Sequence, residues 1–195
     1  MVLGKFGRAL HSDGKNVIFE VPNDSLPHFG KGSFSFAAWN RIEDYTYPLT
    51  KMAVSQGYGC FFSKDNKLVT PGWEIGHGHI KDKTAVCIRD DKHKFGRKYI
   101  LHDAEFTDSK TLNRWTHYAV VFDRKKGKVY LYINGKKQRD YLEISQVTGS
   151  VDNDKPLGFG YVHGWKVKGA IDDYRLYNGA LDDTQVALIY KDHTV

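Results

Sequence analysis

The chain has 195 residues, 41% of them apolar and 14% aromatic, with 29 Lys and Arg against 23 Asp and Glu for a formal net charge of +6. That length can bury a sizeable core, and no apolar run approaches the roughly 18 residues of a membrane span, so no membrane-spanning helix is expected. Basic residues alternate with carboxylates, as in Lys81-Asp82-Lys83 and Arg89-Asp90-Asp91-Lys92; with no basic face or stacking motif, nucleic acid is not an expected partner, while the net charge favours anionic ones.

Taken in chain order, residues 4–10 lead into a turn signal at His11-Ser12-Asp13-Gly14-Lys15, and 16–21 read as a strand. Residues 22–32 are loop. Residues 33–41 form a strand that carries Phe34 and Phe36 on one side. A polar, Tyr-rich loop covers 42–48, and short strands follow at 49–54 and 59–63. Residues 72–77 and 84–89 are strands, 90–96 is a charged turn, and 98–102 is another strand.

The clearest local signal lies at 114–138. Two β-rich runs, 115–122 and 129–133, flank a turn at 124–127. Asn134-Gly135 then supplies the two positive-φ residues of a type I′ hairpin turn. Three antiparallel strands in a row predict an all-β domain. Further strands are expected at 157–162 and 169–177. The single helical signal is at 181–186, where Asp182 caps and Gln185 stands three residues on, as in a capping box. About a dozen short strands with turns every 8 to 12 residues predict a β-sandwich or jelly roll. No linker or composition shift divides 1–195, so one domain is expected.

Cys60 and Cys87 lack metal-type spacing; they pair in a secreted domain or stay as buried thiols. The N-terminus lacks a signal-peptide core, and Met1-Val2 reads as an added start on a domain excised from a larger protein. Two surfaces attract attention as binding sites. Tyr161, His163 and Trp165 lie on a Gly-flanked interruption of the last strands, where a flat aromatic face can stack on a sugar ring. Alternation puts Trp73, Ile75, His77 and His79 on one side of a second strand, read as the open face of the sheet. Arg41, Arg89 and Tyr99 are expected to reach a groove there and to offer forked donors to carboxylate or sulfate. His77 and His79 lack a third ligand for zinc. Trp39 and Trp115 are assigned to packing.

Five segments stand in a familiar order: Gly4-Lys5-Phe6-Gly7-Arg8-Ala9-Leu10 with Asp13-Gly14; Ser33-Phe34-Ser35-Phe36-Ala37-Ala38-Trp39; Trp115-Thr116-His117-Tyr118-Ala119-Val120-Val121-Phe122-Asp123; Leu131-Tyr132-Ile133-Asn134-Gly135-Lys136; and the run from Gly169-Ala170-Ile171-Asp172-Asp173 to Ala180-Leu181. Together they resemble the laminin-G-like jelly roll of the concanavalin A-like lectin/glucanase superfamily. The resemblance implies a two-sheet antiparallel β-sandwich. It also implies a role as a non-catalytic carbohydrate-binding module of a larger extracellular or cell-surface protein, with adhesion or protein–protein contact as the alternative, since fold does not dictate ligand. It further implies a structural Ca²⁺ at one rim, held by Asp172 and the Asp13 turn, with Asn40 or Asp44 as further oxygen donors. Hydrolases of that superfamily carry Glu-x-Asp-x-x-Glu on one strand to place two carboxylates on one face. The pattern does not occur here, and Asp172 and Asp173 are adjacent, so an enzyme is not expected.

Overall fold

The computed structural model describes residues 1–15, 19–44, 54–56, 70–76, 82–162 and 165–192, apart from the side chains of 54, 161, 162 and 165. In chain order the described strands are β1 (Val2–Leu3), β2 (Arg8–Asp13), β3 (Phe19–Val21), β4 (Phe34–Asp44), β5 (Val54–Gln56), β6 (Gly72–Ile75), β7 (Lys83–Arg89) and β8 (Phe95–Leu101). A short helix α1 (Asp108–Thr111) precedes β9 (Thr116–Asp123), β10 (Lys128–Ile133) and β11 (Lys136–Glu143). Then come β12 (Leu157–Phe159), β13 (Tyr161–Val162), β14 (Trp165–Lys166), β15 (Lys168–Tyr177) and helix α2 (Asp183–Lys191).

The strands build two antiparallel sheets. One has seven strands in the order β1-β2-β15-β4-β9-β10-β11, the other six in the order β3-β12-β5-β6-β7-β8, and β13-β14 is a separate hairpin. This is the expected two-sheet sandwich. Side chains at every second position meet between the sheets. Phe34, Phe36 and Ala38 of β4 and Val120 and Phe122 of β9 face Ile75, Val86, Ile88 and Ile100 of the other sheet. Phe34 and Phe122 stack at 4.3 Å, and Trp73 completes the aromatic centre at 5.7 Å from Phe34 and 5.9 Å from Phe122.

The central meander forms as its sequence predicts. Ile133 pairs with Lys136 across Asn134 and Gly135, whose φ angles are +50° and +76°, a type I′ turn. Asn134 also extends the β9–β10 ladder: its side-chain Oδ1 accepts the His117 N–H at 2.9 Å, and its backbone N–H donates to the His117 carbonyl at 2.8 Å. A Cβ at Gly135 would lie 3.0 Å from the Tyr190 ring, so glycine serves both the turn and the approach of α2.

Several bounds differ from expectation. β2 runs on through His11, Ser12 and Asp13, because its pairing with β15 outweighs the local turn signal. β4 likewise continues to Asp44, held by Lys168. α2 has the predicted capping box: Asp182 Oδ1 accepts the Gln185 N–H at 2.8 Å and Gln185 Oε1 accepts the Asp182 N–H at 2.9 Å. It then runs to Lys191, beyond the expected end, because Val186 packs on Ala37, Ala119, Val121 and Tyr132 of the sheet. Among the expected strands, 59–63 lies outside the described residues, as does most of 49–54.

Candidate functional site

The rim of the sandwich is organised by β15. Ile171 pairs with Leu10 on one side and Asn40 on the other, which turns all three inward. Two residues earlier, a Cβ at Gly169 would sit 2.3 Å from the Arg41 carbonyl, so the backbones approach at a distance that excludes any side chain. The β13-β14 hairpin springs from the same place, its base closed by the Val167 N–H donating to the Gly160 carbonyl at 3.0 Å. Between the sheets this leaves a partly open notch whose lining includes Leu10, Ser12, Phe19, Asn40, Phe159 and Ile171, with an internal volume of about 20 Å³. Asn40 is 4% exposed, and its Nδ2 has no hydrogen-bond partner among the described residues. Beside the notch, the Tyr174 ring, 38% exposed, lies 4.9 Å from that of Phe159.

Of the rim residues expected from sequence, Tyr161 and Trp165 belong to the strands of this hairpin, with Tyr161 paired to Lys166 and Val162 to Trp165. His163, and the side chains of Tyr161 and Trp165, lie outside the described residues, as does His77. Tyr174 was not legible as a binding residue, and Asn40 was expected only as a further oxygen donor to Ca²⁺. Asn40 stands on the inward face of β4 with Phe34, Phe36, Ala38 and Ile42, and its role depends on what the other sheet leaves open above it.

The carboxylates expected to hold Ca²⁺ do not converge. Asp13 is opposite Lys168 in the ladder and Asp172 is opposite Trp39, four positions further along β15, or roughly 13 Å. Asp172 is committed to the backbone: Oδ2 accepts the Phe6 N–H at 2.8 Å, and Oδ1 the Asp173 N–H at 2.8 Å. Asp13 Oδ1 accepts the Lys15 N–H at 2.7 Å. Asn40 points inward, away from both. These residues do not fit one shared cation site, and among the described residues no group of three or more His, Cys, Asp or Glu side chains converges.

The six-stranded sheet corrects the open-face reading. Trp73 is 1% exposed and belongs to the core, its Nε1 donating to Gln56 Oε1 at 3.3 Å. Alternation does put Trp73 and Ile75 on one side, but that side meets the other sheet. The outer face instead carries Glu74, Ala85, Cys87, Arg89, Arg97 and Tyr99, as the pairs Glu74–Cys87, Cys87–Arg97 and Ala85–Tyr99 require. Its centre is closed to solvent. Cys87 is fully buried, Arg89 is 6% exposed, and burial pushes the Glu74 carboxyl up to about 8 against the opposing pull of Arg97. Cys60, with which Cys87 was a candidate pair, lies outside the described residues. Arg89 Nη2 lies 3.3 Å from His93 Nδ1, and its guanidinium lies over Phe95.

Arg41 does not join Arg89. It stands on the outer face of the seven-stranded sheet, its guanidinium 5.2 Å from the Trp115 ring and its Nη2 donating to Glu43 at 3.2 Å. The two arginines therefore lie on opposite outer faces, and no single groove contains both.

On that second face α2 covers a cluster that sequence did not bring together. Tyr190 stacks on Trp39 at 5.5 Å, and His117 lies against both rings. Burial pulls the His117 imidazole down to about 4, with Asp173 raising it and Arg175 adding to the fall. At the start of α2 the Tyr132 hydroxyl donates to Asp183 Oδ1 at 2.5 Å and Lys137 Nζ donates to the same oxygen at 3.0 Å. Next to them, Lys137 lies over Tyr130 at 4.2 Å, Tyr130 meets Tyr141 at 6.1 Å, and Lys128 lies over Tyr141 at 4.3 Å.

Comparison with known proteins bears on this fold. A family model described as the concanavalin A-like lectin/glucanases superfamily matches residues 13–187, and the chain belongs to that family. Among solved structures it is similar to the binding domain of Paraclostridial Mosquitocidal Protein 1, at 19% identity and a TM-score of 0.71, covering 97% of this chain and 44% of that one. It is also similar to the binding domain of botulinum neurotoxin DC in complex with rat synaptotagmin II, at 17% identity and a TM-score of 0.60, covering 85% and 37%. The same binding domain in complex with SialylT gives 18% identity and a TM-score of 0.57, covering 83% and 35%. The chain thus spans less than half of each of these proteins, and the likeness shows the fold. None of the curated proteins matches the chain.

Proposed function

We propose that the chain is a non-catalytic carbohydrate-recognition module of a larger extracellular protein, and that it binds glycan at the rim beside the β13-β14 hairpin. The observation that carries this reading is the notch between the sheets. A buried amide, a flat exposed tyrosine and the base of an aromatic-bearing hairpin meet at one edge. Sugars present this pairing of needs: an apolar ring face to stack and hydroxyl or amide groups to hydrogen-bond. In this reading Tyr174, packed on Phe159, is the platform, and Tyr161, His163 and Trp165 are the sequence candidates to be tested with it. The net charge of +6 favours anionic glycans by long-range attraction. The carboxylates at this rim are committed within the fold: Asp172 accepts the Phe6 backbone N–H and Asp173 accepts Arg175 Nε, each at 2.8 Å, which supports binding over hydrolysis.

The alternative is a protein contact through the Tyr130, Tyr141, Lys128 and Lys137 stripe, where aromatic rings lie under ammonium groups on an accessible edge. A glycan array of neutral, uronic-acid, sulfated and sialylated polymers, run with and without Ca²⁺, separates the two. Trp165→Ala and Tyr174→Ala are expected to weaken binding about tenfold, the loss of one stacking contact, and Tyr141→Ala to leave it unchanged. Binding lost in Tyr141→Ala alone would move the site to the edge stripe. Absence of any glycan binding by folded protein would remove the carbohydrate reading.

A further inference from the structure

The end of the six-stranded sheet opposite the rim carries a second surface with a different chemistry. Phe159 is level with Val54, Ile75 and Val86 across the ladder, and β7 runs on from Val86 to Arg89, away from Gly160 and the β13-β14 hairpin. The turn into β8 follows. In the sequence this turn looks balanced, with Asp90 and Asp91 set beside Arg89, Lys92, Lys94 and Arg97. In space the two signs are sorted. Asp90 is fully buried: its Oδ1 accepts the Lys92 and Lys94 N–H groups at 3.0 and 2.8 Å, and its Oδ2 accepts the Gly149 N–H at 2.7 Å. Asp91 Oδ1 accepts the Ser150 N–H at 3.0 Å. The half-buried Arg124 guanidinium, which donates to the Gly149 carbonyl at 2.7 Å, is held by the charge of both carboxylates. Lys98, further along β8, is paired with Asp140. What the turn and the start of β8 present to solvent is Lys92, His93, Lys94, Phe95 and Arg97.

Phe95 is the apolar member of this group. Its ring is 55% exposed, 6.0 Å from the Arg89 guanidinium, while its carbonyl accepts Gln146 Nε2 at 2.9 Å. A Cβ at Gly96 would lie 2.8 Å from Ile144 Cγ2, so the backbone is pressed against the core and the Phe95 ring is held outside. A phenyl ring surrounded by cations on a well-anchored turn matches a surface that is anionic on top and hydrocarbon beneath. It fits a sugar poorly, because small-ligand sites are concave and converge polar groups on the ligand. Here the cations stand on long side chains around an exposed tip.

We propose that the β7-β8 turn is a contact for anionic lipid surfaces, with Phe95 entering the interface and Lys92, Lys94 and Arg97 meeting the lipid phosphate and carboxylate groups. This goes beyond the carbohydrate reading, since the turn and the rim lie at opposite ends of one sheet and can be occupied together.

The test mixes the intact chain with phosphatidylcholine vesicles that contain either no phosphatidylserine or about 30 mol% of it. Sedimentation should show binding to the anionic vesicles alone, lost at about 1 M salt, where charge is screened within a few ångströms. Lys92→Gln with Lys94→Gln should weaken binding about 25-fold, roughly fivefold for each charge. Phe95→Ala should weaken it about tenfold, and Phe95→Trp should retain it. Spin-labelled lipid should broaden the amide signals of residues 92–97 and leave those of β2 and β15 at the rim sharp. None of these variants should alter glycan binding, so the two readings fail separately. Equal binding to neutral vesicles, full binding by Phe95→Ala, or no binding to either vesicle overturns the inference. Capture of a heparin oligosaccharide by residues 92–97 without vesicle binding also overturns it, and makes the turn a site for anionic polymers.

Discussion

Glu74 and His117 occupy corresponding places on opposite outer faces of the sandwich, and each is 1% exposed. Each is held in its neutral form, but the two are dried differently. His117 lies in a described aromatic cluster: α2 lays Tyr190 over it and over Trp39, and Val186 over the neighbouring alanines. Glu74 lies on a face whose apolar cluster among the described residues is Ala85 and Cys87 with Tyr99 against them, and whose margin carries Arg89 and Arg97. Burial raises the one and lowers the other, because it penalises whichever form is charged. The lesson is that alternation along a strand says which residues share a face but not which face is wet. In this sandwich the middles of both outer faces are dry.

The comparison predicts opposite pH slopes. Glu74 takes up its proton more readily in the folded chain than at its ordinary value of 4.5, so its contribution to stability is fully present below about pH 4.5 and is lost as pH rises toward 8. The full change is on the order of 5 kcal/mol. Urea denaturation from pH 4 to 9 should show this decline in the parent chain above pH 6.5. It should be absent in Glu74→Gln; an unchanged decline in that variant would assign the proton to another group.

His117 runs the other way. Its folded value lies below its ordinary 6.5, so its contribution is present above about pH 6.5 and is lost as pH falls toward 4. The change is about 3 kcal/mol. Between pH 4.5 and 6.5 the two slopes oppose, and the parent curve should be flatter there than that of either variant. In Glu74→Gln the acid-side fall should stand alone, and in His117→Gln it should disappear. A His117→Gln curve that keeps the fall would break the proposed symmetry of the two faces.

The smallest effect tests what dries the His117 side. Asp182→Ala removes one half of the capping box at the start of α2 and should cost about 1 kcal/mol. Amide exchange should speed up along α2 while the β4 and β9 amides stay protected. If the cap also loosens Tyr190 from Trp39, the acid-side slope of His117 should shrink in the same variant, tying the histidine's dryness to the helix.

Much of this was legible locally. The Asn134-Gly135 turn, the meander around it, the alternation of Phe34 and Phe36 and the Asp182–Gln185 cap are all fixed by short-range chemistry: positive-φ tolerance, β-branched and aromatic pairing, and a side chain reaching its own helix end. The order of five segments was enough to identify the family, and its model covers 13–187. The assignment of Trp39 to packing agrees with its place under Tyr190.

What only the tertiary structure decided concerns which face meets what. Trp73 could not be placed from sequence because its strand alternates equally well whether its aromatic side turns to solvent or to the other sheet, and the choice is made by Phe34, Phe36 and Phe122 arriving from elsewhere in the chain. Arg41 and Arg89 looked like partners until the two sheets set them back to back. Asp13 and Asp172 share a pair of strands, yet the ladder register holds them four positions apart. Asn40 acquired its significance in the same way. From sequence it was expected only as a further oxygen donor to Ca²⁺, and the pairing with Ile171 sets it on the inward side of β4. Only the meeting of β2, β3, β12 and β15 around it left a notch of about 20 Å³ and no partner among the described residues for its amide. Periodicity along a strand is a local property, whereas the space opposite a side chain is set by residues distant in sequence.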